Sequence, residues 1–231
     1  MNKTKIIIFL IILLSFAIGF YFYPQMPGRI ASHWNAKGEA DGYMPKTWGL
    51  FLMPLISLAM ALLLLLIPKL DPLKENIEKF RKYFDVFIIL ILLFLFYLNI
   101  LVIIWNLGVK FNFIYATTPA FSVLFYYIGI MVSNAKRNWF IGIRTPWTLS
   151  SETVWDKTHK IGGKLFKISA LIALIGTVGS TPIVLEKTDD VLSVVTPLAS
   201  AIVPAETPEA VVETAEKLIH YIERRHPELA F

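Results

Sequence analysis

Five long stretches of this 231-residue chain contain no Asp, Glu, Lys or Arg. They are residues 6–28, 47–68, 86–109, 111–135 and 168–185. A helix needs about 20 apolar residues to cross the hydrocarbon core of a bilayer. The stretch 86–104 is apolar on every face, whereas a helix at the surface of a water-soluble protein carries a polar stripe. The sequence therefore predicts an all-α, polytopic membrane bundle with five spanning helices.

The distribution of Lys and Arg predicts the orientation of this bundle. Most basic residues before residue 168 precede the first stretch or lie between the second and third or the fourth and fifth. Basic segments resist translocation, so these segments are expected in the cytoplasm and the protein in the cell membrane with its N-terminus inside. Lys3 and Lys5 could also begin a signal peptide, but no small-x-small cleavage site follows. We expect the first stretch to remain as a helix.

Charge and cysteine content exclude several classes of function. The net charge is +5, and the basic excess precedes residue 181, where it suits anionic lipid headgroups. No basic stripe or nucleic-acid-binding motif is present, so direct nucleic-acid binding is not expected. The chain has no cysteine, which excludes disulfides, thiolate nucleophiles and cysteine-based metal sites.

The loop between the first two stretches is rich in proline and glycine, which favour turns over a helix. His33, Trp34 and Asn35 are adjacent, and Glu39 and Asp41 follow closely. His33 and the two carboxylates could bind a divalent cation. An aromatic plug that hydrogen-bonds into the mouth of the bundle is the more common use of such residues, so we predict no metal.

Two ordered patterns resemble known signatures. The first resembles a membrane domain of unknown function that commonly precedes SdpI domains; its matching residues are Pro24, Pro27, Ile30, His33, Trp34, Asn35, Gly38, Gly42 and Lys46. The second is similar to the signature of the SdpI family; its matching residues are Asn138, Gly142, Arg144, Pro146, Trp147, Thr148, Trp155, Thr158, His159 and Gly162. The resemblance covers roughly residues 1–180.

The resemblance implies a function as well as an architecture. It implies an N-terminal membrane domain over residues 1–68, with the His-Trp-Asn loop outside. An SdpI-like membrane domain follows over 69–180, with a cytoplasmic signature loop at 136–167. SdpI-type proteins are expected to protect against a peptide toxin outside the cell, and some also bind a cytoplasmic transcriptional regulator. No cofactor is implied.

The candidate binding residues lie mainly in the signature loop. They are Arg144, Trp147, Trp155, His159 and Asn138 in that loop, with His33, Trp34 and Asn35 in the other. Pro146 predicts extended backbone at Thr145, and Ser150 or Ser151 can cap a short helix that ends at Gly162 and Gly163. Glu152, Trp155 and His159 share one face of that helix. In the alternative interpretation the tryptophans are interface anchors, Arg144 extends toward headgroups and His159 caps a carbonyl.

An enzyme or a transporter is the alternative function. Glu152, Asp156 and His159 could act as acid, base or ligands at a membrane surface. No HExxH, GxSxG or glycine-rich phosphate loop is present, and the uncharged stretches lack the ionisable centres that transport usually requires. We therefore predict a binding protein that is not an enzyme.

The segment 181–231 differs in composition from the rest of the chain and is acidic. Residues 191–205 are uncharged but short for a membrane span, and Pro197 lies within them. They could form a sixth span. Thr207 and Pro208 are typical of a helix start, so an amphipathic helix is predicted at about 208–225.

Overall fold

A computed structural model of the protein describes residues 3–180, and four helices in this part of the chain are long and apolar enough to cross a membrane. They are α1 (Lys3–Phe22), α2 (Lys46–Leu70), α4 (Arg81–Asn106) and α5 (Phe113–Asn134). A short helix, α3 (Lys74–Lys79), connects α2 to α4, and a 3₁₀ turn (Tyr23–Gln25) follows α1. The predicted helical bundle is confirmed in outline. The described residues contain four candidate membrane-spanning helices, whereas the sequence predicted five.

Two further helices follow α5, namely α6 (Pro146–Ser150) and α7 (Glu152–Ser180). Residues up to Leu171 belong to one compact unit, which contains the packing of α1, α2, α4 and α5, and Ile172 begins a second unit. The predicted fifth span, 168–185, starts within α7 and extends past the described residues. The possible sixth span 191–205, the acidic tail 181–231 and the predicted helix at 208–225 lie outside the described residues. The division at residues 68 and 69 stays a prediction.

Helix α4 is the central helix, and it packs against α1, α2 and α5. Phe84, Ile88 and Leu92 recur at intervals of four residues, which places them on one face, and all three are buried. They join a core cluster with residues of the neighbouring helices; among its members are Ile8, Ile11, Ala61, Leu64 and Met131. Large apolar side chains such as Leu63 and Val123 stay exposed on the outer faces, as suits contact with lipid.

A β-hairpin interrupts the otherwise helical fold between α1 and α2. Strands β1 (Arg29–Trp34) and β2 (Ala40–Pro45) pair antiparallel, with an irregular register near His33. The sequence predicted turns here and no strand, so the expectation of an all-α fold was incomplete. Asn35 makes the turn possible, because its side-chain oxygen accepts hydrogen bonds from the backbone N–H groups of Lys37 (2.8 Å) and Glu39 (3.1 Å).

The hairpin is fixed to the ends of α4 and α5. Asn106, at the end of α4, accepts a hydrogen bond from the backbone N–H of Ala31 (2.8 Å) and donates one to its carbonyl (3.0 Å). Trp34 stacks on Phe113 of α5, with ring centroids 3.9 Å apart, and meets Trp105 edge-on. We call this the hairpin end of the bundle. The signature segment, residues 136–167, lies at the opposite end, after α5.

The structure corrects the predicted helix boundary at Gly162 and Gly163, because α7 passes through both residues without a break. Gly163 allows close packing against α5, and Gly162 leaves room for the Ile143 side chain of the loop. A Cβ atom on Gly129 of α5 would lie 2.5 Å from the carbonyl oxygen of Gly163, and one on Gly162 would overlap Ile143. Small residues let two helix backbones approach closely, and the sequence analysis took the glycine pair for a stop signal instead.

Candidate functional site

Asn138 organises the first turn of the signature segment. Its side-chain amide donates to the carbonyls of Lys136 and Ile141, both at 2.8 Å. Its side-chain oxygen accepts from the N–H groups of Phe140 (2.9 Å) and Ile141 (2.6 Å). These four bonds use the full hydrogen-bonding capacity of an asparagine side chain. Asn138 is also fully buried. It therefore holds the backbone of the loop in place and does not offer a free group to a partner.

Trp155 is also part of the support beneath the segment. It is 1% exposed, and its indole N–H donates to the carbonyl of Ala135, at the end of α5, at 2.9 Å. Its ring stacks on the imidazole of His159 with centroids 3.9 Å apart and planes 16° apart. A tryptophan buried in this way joins the start of α7 to the end of α5. The interpretation of Trp155 as an exposed interface anchor therefore does not fit its burial.

Both ring nitrogens of His159 have backbone partners. Nε2 accepts a hydrogen bond from the N–H of Ile143 at 3.0 Å, so Nε2 carries no proton. Nδ1 then carries the proton and donates to the carbonyl of Trp155 at 2.8 Å. Burial lowers the pKa of His159 below 6.5, although the Trp155 carbonyl and the nearby Asp156 act in the opposite direction. The imidazole is therefore a neutral structural bridge between α7 and the loop.

This geometry predicts a pH dependence of folding. Because the pKa of His159 is lower in the folded than in the unfolded chain, the unfolded chain binds the proton more readily. The stabilising effect of His159 is fully present above about pH 6.5 and is lost as the pH falls toward the lowered pKa. We expect the melting temperature of the purified protein in detergent to fall between about pH 7.5 and about pH 5. His159→Gln should have a flatter profile over this range, and an equally steep profile would contradict the assignment.

The backbone between Ile143 and Thr148 is also tightly held. The extended Thr145 is the cap of α6, where its hydroxyl accepts from the N–H of Thr148 at 3.2 Å. The Thr148 hydroxyl accepts from the N–H of Thr145 at 2.8 Å and donates to the carbonyl of Ile143 at 2.9 Å. The extended conformation that the sequence predicted before Pro146 is confirmed. This capping box fixes the direction in which Arg144 leaves the loop.

Arg144 and Trp147 are exposed, in contrast to the other three candidates of the segment. Trp147 is 70% exposed, and Trp139 and Phe140 are also exposed. A guanidinium N–H of Arg144 donates to the carbonyl of Trp139 at 2.6 Å, which ties the two parts of the loop together. We call these four residues the exposed edge. The structure thus divides the predicted site into a buried support, formed by Asn138, Trp155 and His159, and this edge.

Sequence reasoning missed Asp71, which connects the segment to the first half of the chain. Asp71 is 2% exposed and follows α2. One carboxylate oxygen accepts from the N–H of Leu73 at 2.6 Å and the other from the N–H of Trp139 at 2.8 Å. The sequence does show an acidic residue close after the long uncharged stretch 47–68, but its partner Trp139 is 68 positions away.

A polar pocket of about 190 Å³ lies beside the support. Its lining residues are Asn76, Lys79, Lys136, Arg137, Glu152, Trp155 and Asp156. The cations Lys136 and Arg137 lie 3.9 and 3.7 Å from carboxylate oxygens of Asp156 and Glu152, respectively. These separations are longer than good hydrogen bonds, so the charges at the pocket are only loosely paired.

At the hairpin end, the three candidate residues have different roles. Trp34 and Asn35 are structural, as described above. His33 is exposed, and its Nδ1 lies 2.5 Å from a carboxylate oxygen of Asp41. The Glu39 carboxylate instead accepts from the Asn35 amide at 3.1 Å. The structure therefore does not bring His33, Glu39 and Asp41 together as one set of metal ligands. Residues 3–180 contain no group of three His, Asp or Glu side chains placed to hold a metal ion.

Comparison with known proteins finds one family match that includes the hairpin and another that includes the signature segment. Residues 134–205 match the SdpI/YfhL protein family, and residues 10–58 match a domain of unknown function, DUF1648. Over residues 134–205 the chain is therefore similar to the SdpI family. The curated Immunity protein SdpI of Bacillus subtilis (strain 168) is 27% identical over 173 residues, which are 75% of this chain and 81% of that protein. No solved structure matches the chain.

The SdpI-family match includes the whole signature segment, with both the buried support and the exposed edge. The DUF1648 match includes α1 from residue 10 onward, the hairpin and the first half of α2. The four apolar helices and the similarity to an SdpI protein together indicate a multi-pass membrane protein.

Proposed function

We propose that this protein is a membrane-embedded immunity protein that acts by binding a partner through the exposed edge of its signature segment. The observation that carries the proposal is the exposure of Arg144 and Trp147 above a rigid, fully hydrogen-bonded support. Arginine and tryptophan are the residue types that most often dominate the affinity of protein interfaces. A rigid support lowers the entropy that such an edge loses when it binds. The similarity to an immunity protein supplies the biological context.

The orientation expected from the basic residues assigns different partners to the two ends. With the N-terminus inside, the exposed edge faces the cytoplasm, where its partner is a regulatory protein. The hairpin end then faces outside, where a peptide toxin would first meet the exposed His33 and Trp48. Both interactions fit an immunity protein that also signals, and neither requires a cofactor.

The state of His159 favours binding over catalysis. A general acid or base needs a nitrogen that can reach a substrate, but both nitrogens of His159 are occupied by backbone groups in a buried position. Glu152 and Asp156 are exposed and loosely paired with Arg137 and Lys136. The arrangement therefore offers no acid and base poised on one substrate, which argues against the enzyme alternative.

The proposal is tested by protection and binding assays on Arg144→Ala and Trp147→Ala. We expect each variant to lose roughly tenfold or more in partner affinity, as at interface hot spots, and to lose protection of toxin-sensitive cells. Membrane insertion should stay unchanged, and the melting temperature should change little because both side chains are exposed, although Arg144→Ala also removes the bond to the Trp139 carbonyl. Toxin survival curves and pull-down from solubilised membranes measure these effects.

Matched controls are available at the hairpin end. Arg29 is exposed and, like Arg144, donates to a backbone carbonyl, that of Tyr43, at 2.8 Å. Trp48 is exposed to a similar degree as Trp147. Arg29→Ala and Trp48→Ala should keep the affinity for a cytoplasmic partner. If the edge variants protect as well as the wild type and still capture the same partners, the proposal is wrong.

A further inference from the structure

The polar pocket beside the signature segment has a size and charge that suit one small anion. Its volume of about 190 Å³ is below the roughly 300–1,000 Å³ of pockets for drug-sized molecules. Three of its lining side chains are cations, Lys79, Lys136 and Arg137, and two are carboxylates. The balance of charge at the pocket is therefore positive.

The hydrogen-bonding capacity of these cations is not used up. One guanidinium N–H of Arg137 donates to the carbonyl of Leu149 at 3.0 Å, which holds the side chain in place. The Nε atom of Arg137 is buried and has no partner among the described residues. Lys79 donates to the Asn76 side chain at 2.8 Å, and it contacts no carboxylate of residues 3–180. A fixed arginine with a free donor, flanked by two lysines, is suited to an acceptor-rich anion.

The pocket also lies at the depth expected of lipid headgroups. Asn76 and Lys79 follow the end of α2 and precede α4, while Lys136 and Arg137 follow the end of α5. These helices contain 25, 26 and 22 residues, so each is about 33–39 Å long, slightly more than the roughly 30 Å hydrocarbon core. Residues just past their ends therefore face the headgroup region.

We propose that this pocket binds a phosphate group. The headgroup of an anionic lipid and free inorganic phosphate both present that group, and the geometry assigns Lys79, Lys136 and Arg137 as its partners. Glu152 and Asp156 compete with the phosphate for the same cations. Neutralising them should therefore strengthen binding, a result opposite to the one expected for a cation-binding pocket. This inference does not depend on the proposed immunity function.

The test uses the full-length protein in lipid nanodiscs. One arm compares discs of phosphatidylcholine alone with discs of equal parts phosphatidylcholine and phosphatidylglycerol, and native mass spectrometry counts retained phosphatidylglycerol. The second arm titrates inorganic phosphate into phosphatidylcholine discs and follows the indole fluorescence. Lys79→Ala with Lys136→Ala should weaken binding roughly tenfold or more, and Glu152→Gln should strengthen it.

Two exposed lysines outside the pocket serve as matched controls. Lys74 is on the same helix as Lys79, and Lys157 is on α7, so their replacement removes the same charge from the same end of the bundle. Lys74→Ala with Lys157→Ala should bind like the wild type. Retention of phosphatidylglycerol alone identifies a lipid site, and saturable binding of inorganic phosphate identifies a site for the free ion. Equal loss in the control pair, weaker binding by Glu152→Gln, or no binding in either arm would overturn the proposal.

Discussion

Replacing Gly163 by alanine is expected to separate α7 from α5 and to destabilise the protein by about 3 kcal/mol or more. A Cβ atom at this position would overlap the Ser133 hydroxyl and lie 2.6 Å from the carbonyl oxygen of Gly129. The Gly129 oxygen belongs to the backbone of α5, so a change of side-chain rotamer could not relieve the contact. The helices would have to move apart, which would also disturb the bond between Trp155 and the end of α5.

The effect is measured as the melting temperature of the detergent-solubilised protein and as its monodispersity in size-exclusion chromatography. Gly176→Ala is the matched control on the same helix, because a Cβ atom there meets no atom of the described residues within 4 Å. Alanine is favoured over glycine inside a helix, so this control should be neutral or stabilised by up to about 1 kcal/mol. A Gly163→Ala variant as stable as the wild type would show that the close crossing of α5 and α7 is not required.

The second large effect is expected at Gly142, where the backbone φ of +118° is unfavourable for any residue with a side chain. A Cβ atom at this position would also collide with Nε2 of His159 and lie 3.3 Å from the ring of Trp155. Gly142→Ala should therefore break the bond from Ile143 to His159. We expect loss of stability together with loss of partner binding at the exposed edge, because the loop that carries Arg144 is no longer fixed.

Gly108 separates the backbone strain from the collision with His159. Its φ is +110°, and a Cβ atom there meets no described atom within 4 Å. Gly108→Ala should cost only the backbone strain, about 1–2 kcal/mol, and Gly142→Ala should cost about 2 kcal/mol more. Chemical denaturation in mild detergent gives both values. Equal losses in the two variants would mean that contact with His159 contributes nothing.

The sequence predicted those features that depend on neighbours along the chain. The lengths of the uncharged stretches indicated the membrane-spanning helices, and Pro146 indicated extended backbone at Thr145. Ser151 caps α7 as predicted, because its hydroxyl accepts a hydrogen bond from the N–H of Val154 at 3.4 Å. The spacing of Trp155 and His159 correctly placed them on one face of a helix. Which face is buried depends on distant partners, the end of α5 and Ile143, and spacing alone does not identify these.

The same limit explains the features that were missed. The partner of Asn106 is Ala31, in a hairpin whose strands show no alternating apolar pattern in the sequence. Gly162 and Gly163 are consistent with either a helix end or a close helix crossing, and the choice depends on Gly129 in another helix. Asn99 of α4 is a further case: both of its polar side-chain atoms are buried without a partner among the described residues, and nothing in the local sequence indicates this.

The pair of bonds between Asn106 and Ala31 has a consequence for how such proteins are assembled in evolution. Ala31 lies in β1, inside the DUF1648 match, whereas Asn106 lies at the end of α4, outside that match. The later part of the chain thus completes backbone groups of the hairpin that would otherwise be buried and unsatisfied. A gene that joined the DUF1648 segment to an unrelated neighbour would leave this donor and acceptor without partners, so the two parts are expected to be transmitted together.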